Sequence, residues 1–294
     1  MKRKLNGIVS LSIGFICLIA AGDAGAQVEG EYQIQPIFTR YAETAKKITF
    51  NATARIFSDV QMQEADRYDG WGVDADLTIP IPYTKRFQLR LFWPFYTDGD
   101  ARLIDPGHPD TGRRVDVRGY GGVFEFPNIQ LEWQFLSESN RPLNMAAYGG
   151  IGERQRVLWV DSIDHDVYNH AGQYALFGLK ADWRYGEHWR FLANAGARYY
   201  FKSDDLNPEG GGSDDEFYLS DFSFAAIYHP WKCPVFPVAE LVYQTTFSDY
   251  NSLLFVPEVI VGVCKNFELK AGLPIGLTSD GESFGARFQA TTRF

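Results

Sequence analysis

The sequence predicts an all-β protein, a single transmembrane antiparallel up-and-down β-barrel of about 12 strands. Three observations carry that expectation. Segments of roughly ten residues alternate apolar and polar side chains and are separated by turn signals rich in Gly, Pro, Asn and Asp. Aromatic residues make up 16% of the 294 positions, as expected where rings girdle both faces of a bilayer. Beyond residue 26 no run reaches the ~18 apolar residues of a membrane helix, and the strongest, Leu253 to Cys264, is broken by Pro257 and Glu258. A chain that enters lipid without helices must close its sheet, because only then is every backbone group paired.

The first 26 residues read as a secretory signal peptide. Lys2, Arg3 and Lys4 form a basic start, an apolar stretch runs from Ile8 to Ala21, and Ala24-Gly25-Ala26 offers cleavage after Ala26. Residues 27–46 match no strand pattern and read as an N-terminal periplasmic segment or short plug. Residues 47–294 form the barrel. The net charge of −9, more negative still without the basic start, excludes a nucleic-acid footprint.

Taken in order, the expected strands begin with Ile48–Phe57, Trp71–Ile79 and Phe87–Phe95. A long fourth strand, Val115–Phe135, carries several glycines and a bulge near Pro127. Met145–Val160 follows, then Tyr174–Tyr185 and Arg190–Lys202 around the tight turn 186–188. These last two alternate most cleanly, with Phe177, Leu179, Trp183, Phe191 and Phe201 outward. Segments near 217–229, 236–248, 252–263, 266–276 and 284–294 complete the set. Long connections are expected at 59–69, 98–114, 161–171, 203–216 and 277–283, with short turns between them.

In the last segment Phe284, Ala286, Phe288, Ala290, Thr292 and Phe294 share one face, and Arg287, Gln289, Thr291 and Arg293 the other. This ending resembles the closing strand of bacterial outer-membrane β-barrels, with Phe288 and Phe294 as the aromatic signal. The resemblance implies the outer membrane as destination, the barrel-assembly machinery as a transient partner, and lipid and lipopolysaccharide as surroundings. More loosely, Gly119-Tyr-Gly-Gly-Val-Phe-Glu-Phe126, Gly149-Gly-Ile-Gly152 and Gly272-Leu-Pro-Ile-Gly276 are similar to transporter-type barrels of the phenol meta-pathway degradation group. No residue role follows from that similarity.

The main chemical feature is the set of inward charges. Arg55, Arg86, Arg90, Lys180, Arg184, Arg190, Arg198 and Arg287 supply cations, and Asp182 sits among them with Asp74, Asp76, Glu132, Asp221, Glu240, Glu258 and Glu268. One reading is a narrow channel whose basic lining draws in a small anionic or aromatic solute. The other is a non-conducting structural or surface-interaction barrel filled by arginine–carboxylate pairs. Alternation alone does not separate them. A lipid-modifying enzyme is the weakest third reading, since no Ser/His/acid set stands out among the five histidines. No cofactor and no metal site are expected, because the acidic loop segments lack calcium-loop spacing. Cys233 and Cys264 fall in neighbouring turns and are expected to form a disulfide.

Overall fold

The computed structural model describes residues 34–294, apart from 63–64, 104–111, 113, 121–127, 138–141, 161–164, 204–215, 231–232 and 248–249. The predicted signal peptide and its cleavage after Ala26 lie outside the described residues. The described chain forms strands β1 (Thr49–Met62), β2 (Ala65–Pro80), β3 (Phe87–Leu103), β4 (Arg114–Tyr120), β5 (Asn128–Leu136), β6 (Leu143–Val160), β7 (His165–Tyr185), β8 (Trp189–Ser203), β9 (Phe217–Tyr228), β10 (Val235–Thr245), β11 (Asn251–Cys264), β12 (Phe267–Gly272), β13 (Ile275–Gly276) and β14 (Phe284–Arg293).

All pairings are antiparallel between neighbours. β4 and β5 are two halves of one stave between β3 and β6. β12 and β13 likewise share the place between β11 and β14. The ring closes where β1 runs alongside β14, from Thr49↔Arg293 to Ser58↔Phe284, giving a twelve-stranded barrel. Closure removes both edges, so lipid meets no open row of backbone groups.

The two-residue alternation sorts side chains as expected. On β5, Leu131 and Trp133 are 46% and 47% exposed, whereas Gln130, Glu132 and Gln134 are buried. Apolar side chains outside and polar ones inside invert the soluble pattern and match lipid around a hydrated lumen. Phe191 stacks with Trp183 and Phe224 of the neighbouring strands on the outer face, and with Trp189 along its own strand. The turns at 81–86, 186–188, 229–234 and 265–266 are short and share the end from which β1 starts, which is the periplasmic end in barrels of this design.

Several boundaries differ from the sequence reading. The expected loop at 59–69 is strand, since β1 reaches Met62 and β2 starts at Ala65. β3 and β4 extend into the expected 98–114 loop, and β7 begins inside the acidic segment 161–171. Glycine and aspartate misled here, because backbone pairing such as Gly70↔Gly99 and Asp69↔Asp100 does not depend on side-chain polarity. A register shift beside Pro94 changes the phase of β3, so Tyr96 rather than Phe95 meets Trp71, with ring centroids 5.1 Å apart. The bulge expected near Pro127 falls outside the described residues.

The predicted disulfide is not formed. Cys233 and Cys264 are both free and exposed. Val235 pairs with Val261, and continuing that register sets Cys233 opposite Val263. The two thiols are therefore out of step by one residue, and a pleated sheet sends successive side chains to opposite faces.

Candidate functional site in the barrel lumen

Residues 34–47 precede the first strand; 34–45 lie inside the barrel, and Lys46 and Lys47 are exposed at its rim. Ile34 and Tyr41 are buried in an apolar cluster with Leu192, Ala225, Ile227, Phe236, Val238 and Ile260, all projecting inward from β8 to β11. The Tyr41 hydroxyl donates to the Ile34 carbonyl at 2.7 Å, closing the segment on itself. The guanidinium of Arg190 lies 4.4 Å from the centre of the Tyr41 ring. The lumen is thus not uniformly polar, for its periplasmic half carries a dry seat.

A second set of contacts straps the same segment to the wall. Glu258 accepts from the Ile37 N–H (3.1 Å), and Glu240 from Phe38 (3.2 Å) and Thr39 (2.7 Å). Asp182 accepts from Ala42 and Glu43 at 2.9 and 3.0 Å. The side-chain amides of Gln134 and Gln88 accept from Thr44 and Ala45. The segment has no secondary structure of its own to satisfy its amides, so wall carboxylates and amides do so instead. These acceptors come from β3, β5, β7, β10 and β11, on both sides of the lumen.

The predicted site residues divide into two groups. Arg55, Arg90, Lys180, Asp182, Arg190, Arg198 and Arg287 do meet inside the barrel. Arg86 does not, being exposed in the 81–86 turn, and Arg184 is exposed where β7 runs into the 186–188 turn. Both stand at the periplasmic rim: Arg86 precedes β3, and Arg184 keeps the inward phase of Lys180 and Asp182 but sits at the open end of β7. The lumen is also less basic than the list of cations suggested. Arg55 pairs with Asp74, Arg90 with Asp76, Lys180 with Glu132, Arg190 with Asp182, Arg198 with Asp221, and Arg287 with Glu282. Glu282 escaped the sequence reading because it belongs to the 277–283 connection, which folds inward onto Arg287.

Above the strapped segment a cavity of about 390 Å³ remains. Ile37, Phe38 and Arg40 of the segment form its floor. Its walls combine apolar groups (Phe92, Leu176, Val242), tyrosines (Tyr148, Tyr174), amides (Asn128, Gln130, Asn194, Gln244) and the paired charges of Arg90, Arg198 and Arg287. Such a lining suits a small solute with an apolar body and a few hydrogen-bonding groups. Lysine, arginine and carboxylate are already matched to one another, so an ion would have to break a pair to be held.

No family model matches the chain, and no curated protein matches it in sequence. Solved structures resemble it in fold. The COG4313 outer membrane channel from Pseudomonas putida F1 has a TM-score of 0.53 at 10% identity, with 89% of this chain and 100% of that one covered. The transport unit of the autotransporter AIDA-I from Escherichia coli has a TM-score of 0.57 at 10% identity, over 89% and 93% of the two chains. The translocator domain of autotransporter NalP from Neisseria meningitidis has a TM-score of 0.54 at 8% identity, over 85% and 90%. At these identities the likeness concerns the fold, which is that of bacterial outer-membrane β-barrels.

Proposed function

We propose that this outer-membrane barrel is a narrow channel for a small solute, closed on its periplasmic side by its own residues 34–45. The observation that carries the reading is the division of the lumen into two halves. The upper half is a cavity, and the lower half is filled by a segment that is not part of the wall. A barrel whose role was purely structural would need no removable filler, because wall side chains alone can pack a small lumen. The solute reading favours an amphipathic or aromatic molecule over a simple anion, since the cations are paired and the cavity walls are largely apolar. One of the fold neighbours is described as an outer membrane channel, which agrees with this reading.

Opening requires the segment to leave its seat. Ordering chain costs about 1–2 kcal/mol per residue, and a hydrogen bond to a charged group returns about 1.5–3 kcal/mol. The two quantities are of similar size, so the closed state is held by a margin that single straps can shift. Liposome swelling with neutral solutes of graded size tests the proposal. The wild-type barrel is expected to admit only small solutes slowly, and a variant lacking the Glu240 carboxylate to admit them faster. The same low permeability in both would favour the second reading, a barrel kept permanently filled, which the apolar seat of Ile34 and Tyr41 supports.

A further inference from the structure

Tyr148 on β6 points into the lumen and lines the cavity. Its cross-strand neighbour is Gly178 on β7, whose neighbour is Gly196 on β8, followed at the same level by Asp221 on β9. A methyl group added at Gly196 would collide first with the Tyr148 hydroxyl and then with the Phe177 carbonyl, and one at Gly178 with the Ala195 carbonyl and with the hydroxyl and ring of Tyr148. The ring therefore lies flat across two bare stretches of backbone. Neither glycine lines the cavity, because the tyrosine covers both. The Lys180 ammonium is 5.2 Å from the centre of the ring, on the periplasmic side. Two levels further out, beyond the Gly150–Leu176 pair, Tyr174 lies the other way, over Gly152, and donates to Asn128 Oδ1 at 2.5 Å.

Glycine inside a strand weakens it and commonly marks a place where something must approach the backbone closely. Two glycines side by side on adjacent strands, both beneath one ring, make a trough whose occupant is that ring. We propose that Tyr148 is the side chain that sets the width of the solute path, held flush with the wall by Gly178 and Gly196. This rests on the channel reading above. A tyrosine in another staggered rotamer would stand out from the sheet, into the cavity that its ring now borders. The trough thus decides whether the lumen at this level is open or occluded, and the exposed ring face is what a passing solute meets.

The test compares Gly196→Ala, Tyr148→Ala and the double variant in the full chain, by single-channel conductance in planar bilayers and by swelling of liposomes in sugars of graded size. Folding is checked by heat-modifiable migration on gels. Gly196→Ala is expected to lower conductance and sugar flux several-fold, because the added methyl drives the ring into the lumen. Tyr148→Ala is expected to raise both, and the double variant to match Tyr148→Ala rather than Gly196→Ala. Should Gly196→Ala fail to fold, Tyr148→Trp replaces it and is expected to lower the size of sugar admitted. A conducting barrel indifferent to these changes, or a double variant as closed as Gly196→Ala, overturns the role of Tyr148 alone. A barrel silent as wild type and with Glu240→Ala overturns the channel reading, and this inference with it.

Discussion

The backbone N–H of Thr39 donates to the carboxylate of Glu240 at 2.7 Å, across 201 positions of sequence and the interior of a barrel. Thr39 and Glu240 are both fully buried. The bond couples a segment outside the sheet to the middle of a wall strand, and its strength bears directly on how often the lumen opens.

Replacing Glu240 by alanine leaves the amides of Phe38 and Thr39 without their acceptor. Losing a buried charge-assisted hydrogen bond costs about 2 kcal/mol, roughly a thirty-fold shift toward the displaced segment at 1.36 kcal/mol per decade. Single-channel records should show longer or more frequent high-conductance events, while the gel mobility of the folded barrel stays unchanged. Unaltered event frequency would mean that the apolar seat alone holds the segment.

Lys180 on β7 and Glu132 on β5 form a buried pair across the intervening β6, and Glu132 also accepts from Gln88 and Gln130. Lys180→Met strands a buried carboxylate and is expected to destabilise the barrel by about 3–5 kcal/mol. Lys180→Met with Glu132→Gln should recover most of that loss, since no charge is then left unmatched. Urea unfolding in lipid vesicles, followed by tryptophan emission, measures both. Equal losses in the single and double variants would show that the pair matters through shape alone.

The barrel was legible because lipid on one side and water on the other impose strict alternation. Phe177, Leu179 and Trp183 against Lys180 and Asp182 announce their strand without any partner in view. The strapped segment was not legible in the same way. Ile37, Thr39 and Ala42 engage the wall through backbone amides, which carry no residue signature, and their acceptors lie more than a hundred positions away. A faint signal did exist for the dry seat. Leu192, Ile227, Val238 and Ile260 are apolar where alternation calls for polar side chains, which is a mark of something inside needing apolar cover. The inward acids Glu240 and Glu258 could be placed by parity, but not assigned a partner.

Thiol chemistry tests the state of the two cysteines at the periplasmic turns. Both Cys233 and Cys264 are exposed and free, so a maleimide reagent should label both in folded, unreduced protein. Mass spectrometry showing a pair of thiols protected until reductant is added would restore the disulfide.

An arginine placed on the outer face tests the sorting of sides. Ala195 is exposed at the middle of β8, while its neighbour Asn194 lines the lumen. Ala195→Arg is expected to cost about 2–4 kcal/mol in lipid, the range for a cation at the bilayer midplane. Asn194→Arg should cost much less and should alter ion preference instead. If the two costs were equal, the assignment of inside and outside along this strand would be wrong.

His229 follows β9 in the turn at the periplasmic end, edge-on to Phe236 at 5.4 Å and close to His188, whose Nδ1 lies 2.9 Å from the His229 carbonyl. Burial first, then the charges of Arg190 and Arg184, hold its imidazole down at about 4, below the ordinary 6.5. In the folded barrel the ring stays neutral between those values, while in the unfolded chain it takes up a proton. The unfolded state then binds more protons, so stability is complete above about 6.5 and is lost as the pH falls toward 4. His229→Gln removes the titration and keeps a similar polar outline. Unfolding midpoints measured from pH 7.5 to 4 should fall more steeply for the wild type than for the variant. Parallel curves would show that other groups govern acid stability and that burial of His229 plays no part in it.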